Sequence, residues 1–311
     1  MKSYLTLICV SICFGLLFSC STLPTNSNPK DEVWQQADLL TTNGQKELYL
    51  NQTEKAISSF LSAYNFLLLS DYSKEKLVIC LLLADSYKSI NDTINYYYWL
   101  NSAKMLSVKN NLHKPKMLLF DLKQLFKDKD YSHIIYAKQT LNISNFNDEE
   151  MMEILSYVML SKYFTNNDYS KEFQLLIDLN KKMNNLYIEN DFNNLHILSY
   201  VCYNLGFINY YANNLTTALD YFEKSLEYDS LIENYMGAAE NLFNIANIYK
   251  KQNNFEKAIY YFSLSSDIFN IINNKDSYYK TRLSALELLF NSEKSKSAQQ
   301  EINQLKELLK N

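Results

Sequence analysis

Two stretches of the chain place the same residue types at the same positions forty residues apart. Ala218, Leu219, Tyr221 and Phe222 recur as Ala258, Ile259, Tyr261 and Phe262, and each run is preceded by an asparagine pair, Asn213-Asn214 and Asn253-Asn254. Near the start, Ala56, Ile57 and Phe60 repeat the pattern, and a forty-residue step forward from Ala258 reaches Ala298. Within each run the apolar and small residues fall three and four apart, the spacing of one helix face, so each run predicts a helix opened by an asparagine turn. The last stretch, Ser295 to Leu309, carries Ala298, Ile302, Leu305 and Leu309 on one face and predicts a final amphipathic helix. The middle is less regular. Pro115 to Leu141 and Glu150 to Leu179 each read as a helix pair, with Pro115 suited to a first turn and Asp148-Glu149-Glu150 supplying negative charge at another helix start. Ile134 and Glu172 stand there where the pattern asks for a small residue, and 46 residues separate Glu172 from Ala218. Two readings follow: degenerate repeats, or a break between two short arrays in the asparagine-rich run Asn184 to Asn194.

The repeat resembles the tetratricopeptide family. Leu205-Gly206 and Ile245-Ala246 fill the large-small pair of the first helix, and Tyr249 the aromatic slot that follows. Ala218, Phe222 and Ser225, then Ala258, Phe262 and Ser265, fill the slots of the second helix. Gly44, Ala56, Phe60 and Ala63 match at the start, and Ala84, Tyr87, Leu100 and Ala103 in the second unit, where Tyr96 replaces the small residue. The resemblance implies an all-α protein, a right-handed α-solenoid of about seven helix-turn-helix repeats over residues 34–311, degenerate over 112–194. Small slots let two helices cross closely. A helical glycine costs about 1 kcal/mol against alanine, so Gly44 and Gly206, which share one slot, imply a close packing partner.

Residues 1–19 read as a leader: Lys2, then an apolar run from Tyr4 to Phe18. Leu17-Phe18-Ser19-Cys20 resembles a bacterial lipobox, which implies lipidation of the Cys20 thiol and anchorage to a membrane of the envelope, the outer one if the organism has one. Residues 20–33, polar and holding Pro24 and Pro29, read as a tether. Cys80 and Cys202, each in an apolar helical stretch, read as buried thiols, with a disulfide between them the alternative in an oxidising envelope.

Composition narrows the function. The chain has 26 Tyr and 17 Phe but only 4 Gly and 3 Pro, so turns must be built from Asn and Asp. Its net charge of -4 offers no footprint for nucleic acid. His113, His133 and His196 are isolated, no glycine-rich phosphate loop or nucleophile motif occurs, and Asp128-Lys129-Asp130 falls where a turn is expected. No catalytic residue, metal or cofactor is therefore expected. Binding is the expectation, because the resemblance implies that the first helix of each unit lines a concave groove. The groove-facing slots carry Tyr200, Tyr203, Phe207 and Tyr210, then Phe243, Asn247 and Lys250. Asn204, Asn244 and Asn247 echo a carboxylate-holding arrangement, but Tyr203 and Phe243 stand where lysine would serve it. The expected partner is an envelope protein or extended peptide, in a layout similar to repeat lipoproteins that assist outer-membrane or pilus assembly. The alternative is a solute-binding lipoprotein holding a sugar or small peptide in a tyrosine-lined groove.

Overall fold

The computed structural model describes residues 29–109, 114–140, 146–188, 195–293 and 296–309. The leader, Cys20, residues 21–28 and His113 lie outside the described residues. The described chain is helical: α1 (Pro29–Tyr49), α2 (Thr53–Leu67), α3 (Ser73–Ser89), α4 (Thr93–Lys109), α5 (Lys114–Lys127), α6 (Tyr131–Thr140), α7 (Asp148–Phe164), α8 (Ser170–Ile188), α9 (Leu195–Tyr211), α10 (Leu215–Leu231), α11 (Tyr235–Lys251), α12 (Phe255–Ile271), α13 (Lys275–Glu293) and α14 (Lys296–Leu308). Odd and even helices pair in order, giving seven helix-turn-helix units. The first helix starts at Pro29, inside the stretch read as tether. Proline's fixed φ suits the first helical turn, so its presence there does not mark a spacer.

The turns explain the scarcity of glycine. Asn51, Asn91, Lys129, Asn166, Asn213, Glu233, Asn253 and Asn273 adopt the left-handed conformation, and no described glycine does. Asparagine tolerates that region because its short side chain bonds locally. The next asparagine often caps the following helix: Asn234, Asn254 and Asn274 accept from the backbone N–H of Gly237, Lys257 and Ser277 at 3.1, 3.2 and 3.2 Å. At α7 the acidic start is a full capping box, with Asn147 Oδ1 accepting from Glu150 N at 2.8 Å and Glu150 Oε2 from Asn147 N at 3.2 Å.

The small-aromatic-small slots are the core. Ala56, Ala218 and Ala258 are fully buried, as are Phe60 and Phe262, with Phe222 beside them. Ser225 and Ser265 stand where Ala63 stands in the first unit, and each donates to a carbonyl of the preceding helix, Ser199 O at 3.0 Å and Ala239 O at 2.7 Å. A Cβ on Gly44 would lie 2.4 Å from the Phe60 ring, and one on Gly206 3.0 Å from that of Phe222. The shared glycine slot is thus the seat of the aromatic ring from the second helix.

The middle units keep the helix pairs with different slot chemistry. Ile134 is buried, and so is Glu172, whose carboxylate is bound by Lys138 from α6 and by Lys162 from α7 at 2.8 Å. Burial opposes ionisation of Glu172, but the two lysines prevail and lower its pKa. Among the described residues, packing continues from α7 to α10. Met152, Leu176, Met183, Leu198, Val201 and Tyr228 form one cluster across α7 to α10, and Tyr228 donates to Asn184 Oδ1 at 2.5 Å. At the C-terminal end, Ala298, Ile302 and Leu305 are buried against Leu286 of α13.

The array also meets itself. Lys46, near the end of α1, pairs with Glu233 in the α10–α11 turn at 2.9 Å, and Leu50 packs on Ala239, Phe269 and Ile272. The first unit therefore touches the sixth, and α1, α3, α5, α7, α9 and α11 face an open concavity.

Candidate functional site

The first helices of the units line the concavity because their partners occupy the outside. On α4 the outer face is apolar and open, with Ile94, Tyr98, Met105 and Val108 more than half exposed. The inner wall between α3 and α5 is polar. Asp85 accepts from Lys123 at 2.8 Å, Lys127 at 2.5 Å and Gln124 Nε2 at 3.1 Å. Burial alone would raise the Asp85 pKa, but the two ammonium groups hold it well below the usual carboxylate range.

Two cavities lie along this wall. The first, of about 360 Å³, is lined by the N-terminal halves of α1, α3, α5 and α7, including Trp34, Glu75, Val78 and Lys116. Trp34 Nε1 donates to Glu75 Oε1 at 3.4 Å across its mouth. The second, of about 330 Å³, lies further along the same α5 and α7 and adds α9 and α11. Its aromatic walls are Tyr49, Tyr157, Tyr200 and Tyr203; its acids are Glu153, Asp229 and Glu240. Tyr157 and Tyr200 meet at 5.9 Å.

Asp229 sits at the base of this second cavity, 2% exposed. It accepts from Ser199 Oγ at 2.5 Å, Asn234 Nδ2 at 2.8 Å and Asn241 Nδ2 at 2.8 Å. Burial pushes it up to about 6 against those three donors. Glu240, which lines the cavity yet stays exposed, is pushed up to about 7 by the protein packed around it and then by the neighbouring Asp229 carboxylate. Burial also raises Glu153, with Lys116 and Lys123 opposing. His196 goes the other way, lowered to about 4 by burial and then by Lys116, so it is neutral at pH 7. Burial raises the Tyr203 hydroxyl to about 12.

The structure brings Tyr200 and Tyr203 into this cavity and places the other expected groove residues elsewhere. Phe207 packs edge-on against Tyr163 at 5.8 Å and tilted against Phe164 and Tyr211 at 6.1 and 4.6 Å, the first two being aromatic contacts between units. Tyr210 lies under the Lys251 ammonium, 3.8 Å from the ring centre. Phe243 packs edge-on against Phe262 at 5.4 Å, Asn247 donates to the Phe243 carbonyl at 3.0 Å, and Lys250 is exposed. Asn204 is buried, with its side chain beside the Tyr200 hydroxyl. Glu240 had a legible signal, since it precedes Phe243, Asn244 and Asn247 on one face of α11. Tyr49 had none, because only closure of the array brings it there. His133 is exposed and pairs with Asp130 at 2.7 Å, in the turn expected for Asp128-Lys129-Asp130. Cys80 and Cys202 are separate buried thiols, each raised to about 12 by burial. Among the described residues no group of three or more His, Cys, Asp or Glu is placed to hold a metal, and no helix is long and apolar enough to cross a membrane.

Residues 197–270 match the tetratricopeptide repeat family. This is the stretch from α9 to α12, where two successive units carry the small-aromatic-small slots forty residues apart. The comparison with curated proteins finds no match. Among solved structures, a Rap protein complexed with Competence and Sporulation Factor is similar over 87% of this chain and 76% of its own, at 13% identity and a TM-score of 0.54. A signal-transduction ATPase with a tetratricopeptide repeat sensor, from Pyrococcus horikoshii, matches 87% of this chain at 16% identity and a TM-score of 0.47. The match spans 41% of that ATPase. At 13% identity the likeness to the Rap protein is one of fold, with helix pairs continued along the chain.

Proposed function

We propose that the chain is a protein-interaction scaffold whose tetratricopeptide array holds an extended segment of a partner protein along its inner wall. The observation that carries this reading is the pair of cavities in line on shared helices, walled by aromatic and polar side chains. Tyrosine and tryptophan give large contact area at low entropic cost, as binding surfaces require. A wall of this length suits a chain segment better than a single small solute. The reading extends to place: Cys20 carries a lipid, and the array is tethered to a membrane of a bacterial envelope. That part is supported by the lipobox-like Leu17-Phe18-Ser19-Cys20.

The scaffold reading is tested by crosslinked capture from intact cells with the native chain, Tyr203→Ala, and Tyr98→Ala on the outer surface. Native chain and Tyr98→Ala should capture the same partner, and Tyr203→Ala should recover at least ten-fold less. Equal recovery with Tyr203→Ala would move the site off the inner wall. Capture by none of them, with a melting temperature raised by a small sugar or dipeptide, would establish the solute-binding alternative. For the anchor, Cys20→Ser should move the protein from the membrane fraction to the soluble fraction. Retention in the membrane as a longer, uncleaved chain would show the leader acting as the anchor.

A further inference from the structure

The second cavity carries an unbalanced charge. Glu153, Asp229 and Glu240 line it, and the one lysine among its lining residues, Lys123, is bound to Asp85 at 2.8 Å. His196 adds no charge at neutral pH. Glu153 has Lys116 and Lys123 near it. Asp229 is held only by the neutral donors Ser199, Asn234 and Asn241, and Glu240 has no ion pair among the described residues, its charged neighbour being Asp229. Asp229, buried, and Glu240, exposed, thus line one recess with no ion pair of their own, together with Tyr49, Tyr157, Tyr200 and Tyr203. Neighbouring carboxylates repel each other, more so when one of them is buried, and a cation placed between them relieves that repulsion. Tyrosine rings attract a cation on their faces and pack along an aliphatic stem.

We propose that this cavity is a specificity pocket for a cationic side chain, the ammonium of lysine or the guanidinium of arginine, carried by the extended segment that the inner wall holds. The inference rests on the scaffold reading above and names the chemistry that one part of the wall selects. Glu240 is the group that meets the cation, Asp229 adds its field from beneath, and Tyr200 and Tyr203 flank the stem. A chain segment is favoured over a free amine by the neighbouring cavity. Lys116 lines the first cavity and Lys123 the second, both on α5. Seven residues of helix are about 10 Å, the span of about three extended residues. A segment with its cationic residue in the second cavity therefore reaches the first with the residues beside it.

The test uses the purified full-length protein in detergent and pools of amidated, acetylated hexapeptides of randomised sequence, each pool holding one fixed central residue: Arg, Lys, citrulline, Glu or Leu. Agmatine and cadaverine serve as free cations. Binding is read by retention on the immobilised protein. The Arg and Lys pools should be retained at least ten-fold over the citrulline and Glu pools, and the preference should weaken as salt is raised. Glu240→Gln, folded by its unchanged helical circular dichroism, should reduce the preference to less than three-fold. Tyr203→Phe should keep it, and Tyr203→Leu should reduce it. Equal retention of all pools, or preference for the Glu pool, overturns the cation pocket and leaves the scaffold reading standing. Preference for Arg and Lys that survives Glu240→Gln overturns the placement in this cavity. Retention of agmatine and cadaverine without any peptide pool overturns the choice of a chain segment. Retention of nothing overturns both the pocket and the peptide-binding wall.

Discussion

Gly44→Ala should destabilise the first repeat by about 1–3 kcal/mol, an effect large for a single added methyl group. In the native packing, a Cβ at this position would stand 2.4 Å from Cε1 and 2.7 Å from Cδ1 of Phe60. The Phe60 ring is fully buried and enclosed by Ala56 and Ala63 on its own helix, so it has little freedom to withdraw. Either α1 moves away from α2 or the ring leaves its rotamer, and both lose close contacts across the unit. Gly206→Ala should cost less, because its Cβ would meet Phe222 at 3.0 Å, where a shift of a few tenths of an ångström suffices. Amide hydrogen exchange separates the two: Gly44→Ala should raise exchange in α1 and α2 while α9 to α12 stay protected. Pairing Gly44→Ala with Phe60→Leu should recover part of the loss, since the smaller side chain vacates the contested space. Unchanged exchange in α1 and α2 would show that the units do not cross as closely as the structure has them.

Glu172→Gln should cost about 3 kcal/mol, the order expected when one member of a buried ionic cluster is removed and its partners remain. Glu172 is 1% exposed and joins Lys138 of α6 and Lys162 of α7 across three helices. Glutamine keeps the volume, removes the charge and turns an N–H group toward an ammonium. The pH dependence has a definite sign. The Glu172 pKa is lowered on folding from its ordinary value of 4.5. The folded state then binds fewer protons than the unfolded chain, and the stabilisation is fully present above about 4.5 and lost as pH falls toward the lowered value. Urea denaturation of native protein and variant at pH 7 and in steps below 4.5 should show the gap between them closing on acidification. A gap independent of pH would mean that the variant acts through packing alone.

These two sites also mark where the sequence was readable. The slots that hold Ala218, Phe222 and Ser225, or Gly44 and Phe60, are local: residue size at a fixed spacing along one helix reports how closely its partner approaches. Pairing of helices, asparagine turns and the final amphipathic helix followed from that spacing. Glu172 obeyed no such rule, because its compensation comes from Lys138 and Lys162, 34 and 10 residues earlier, and no periodicity connects them. The cavity was half legible for the same reason. Tyr200 and Tyr203 lie on the expected inward face of α9, whereas Phe207 and Phe243 on equivalent faces are used in contacts between aromatic rings. Asp229 belongs to the second helix of its unit and enters the wall only at that helix's end. Tyr49 reaches the cavity from the far end of the array.

That last residue points to how the molecule holds together as a polymer. In an open solenoid each repeat feels only its neighbours, and its stability is a chain of local terms with free ends. Here Lys46, Tyr49 and Leu50 bring the first repeat against the sixth, so the chain closes into a loop. The joint is slight. Its ion pair keeps 40% and 56% side-chain exposure, and exposed pairs contribute about 1 kcal/mol or less. If the ion pair and the Leu50 contact part without unfolding either side, the inner wall gains a lateral entrance. A long segment could then be laid in from the side and need not be threaded end-first, and closing the joint behind it would slow its escape.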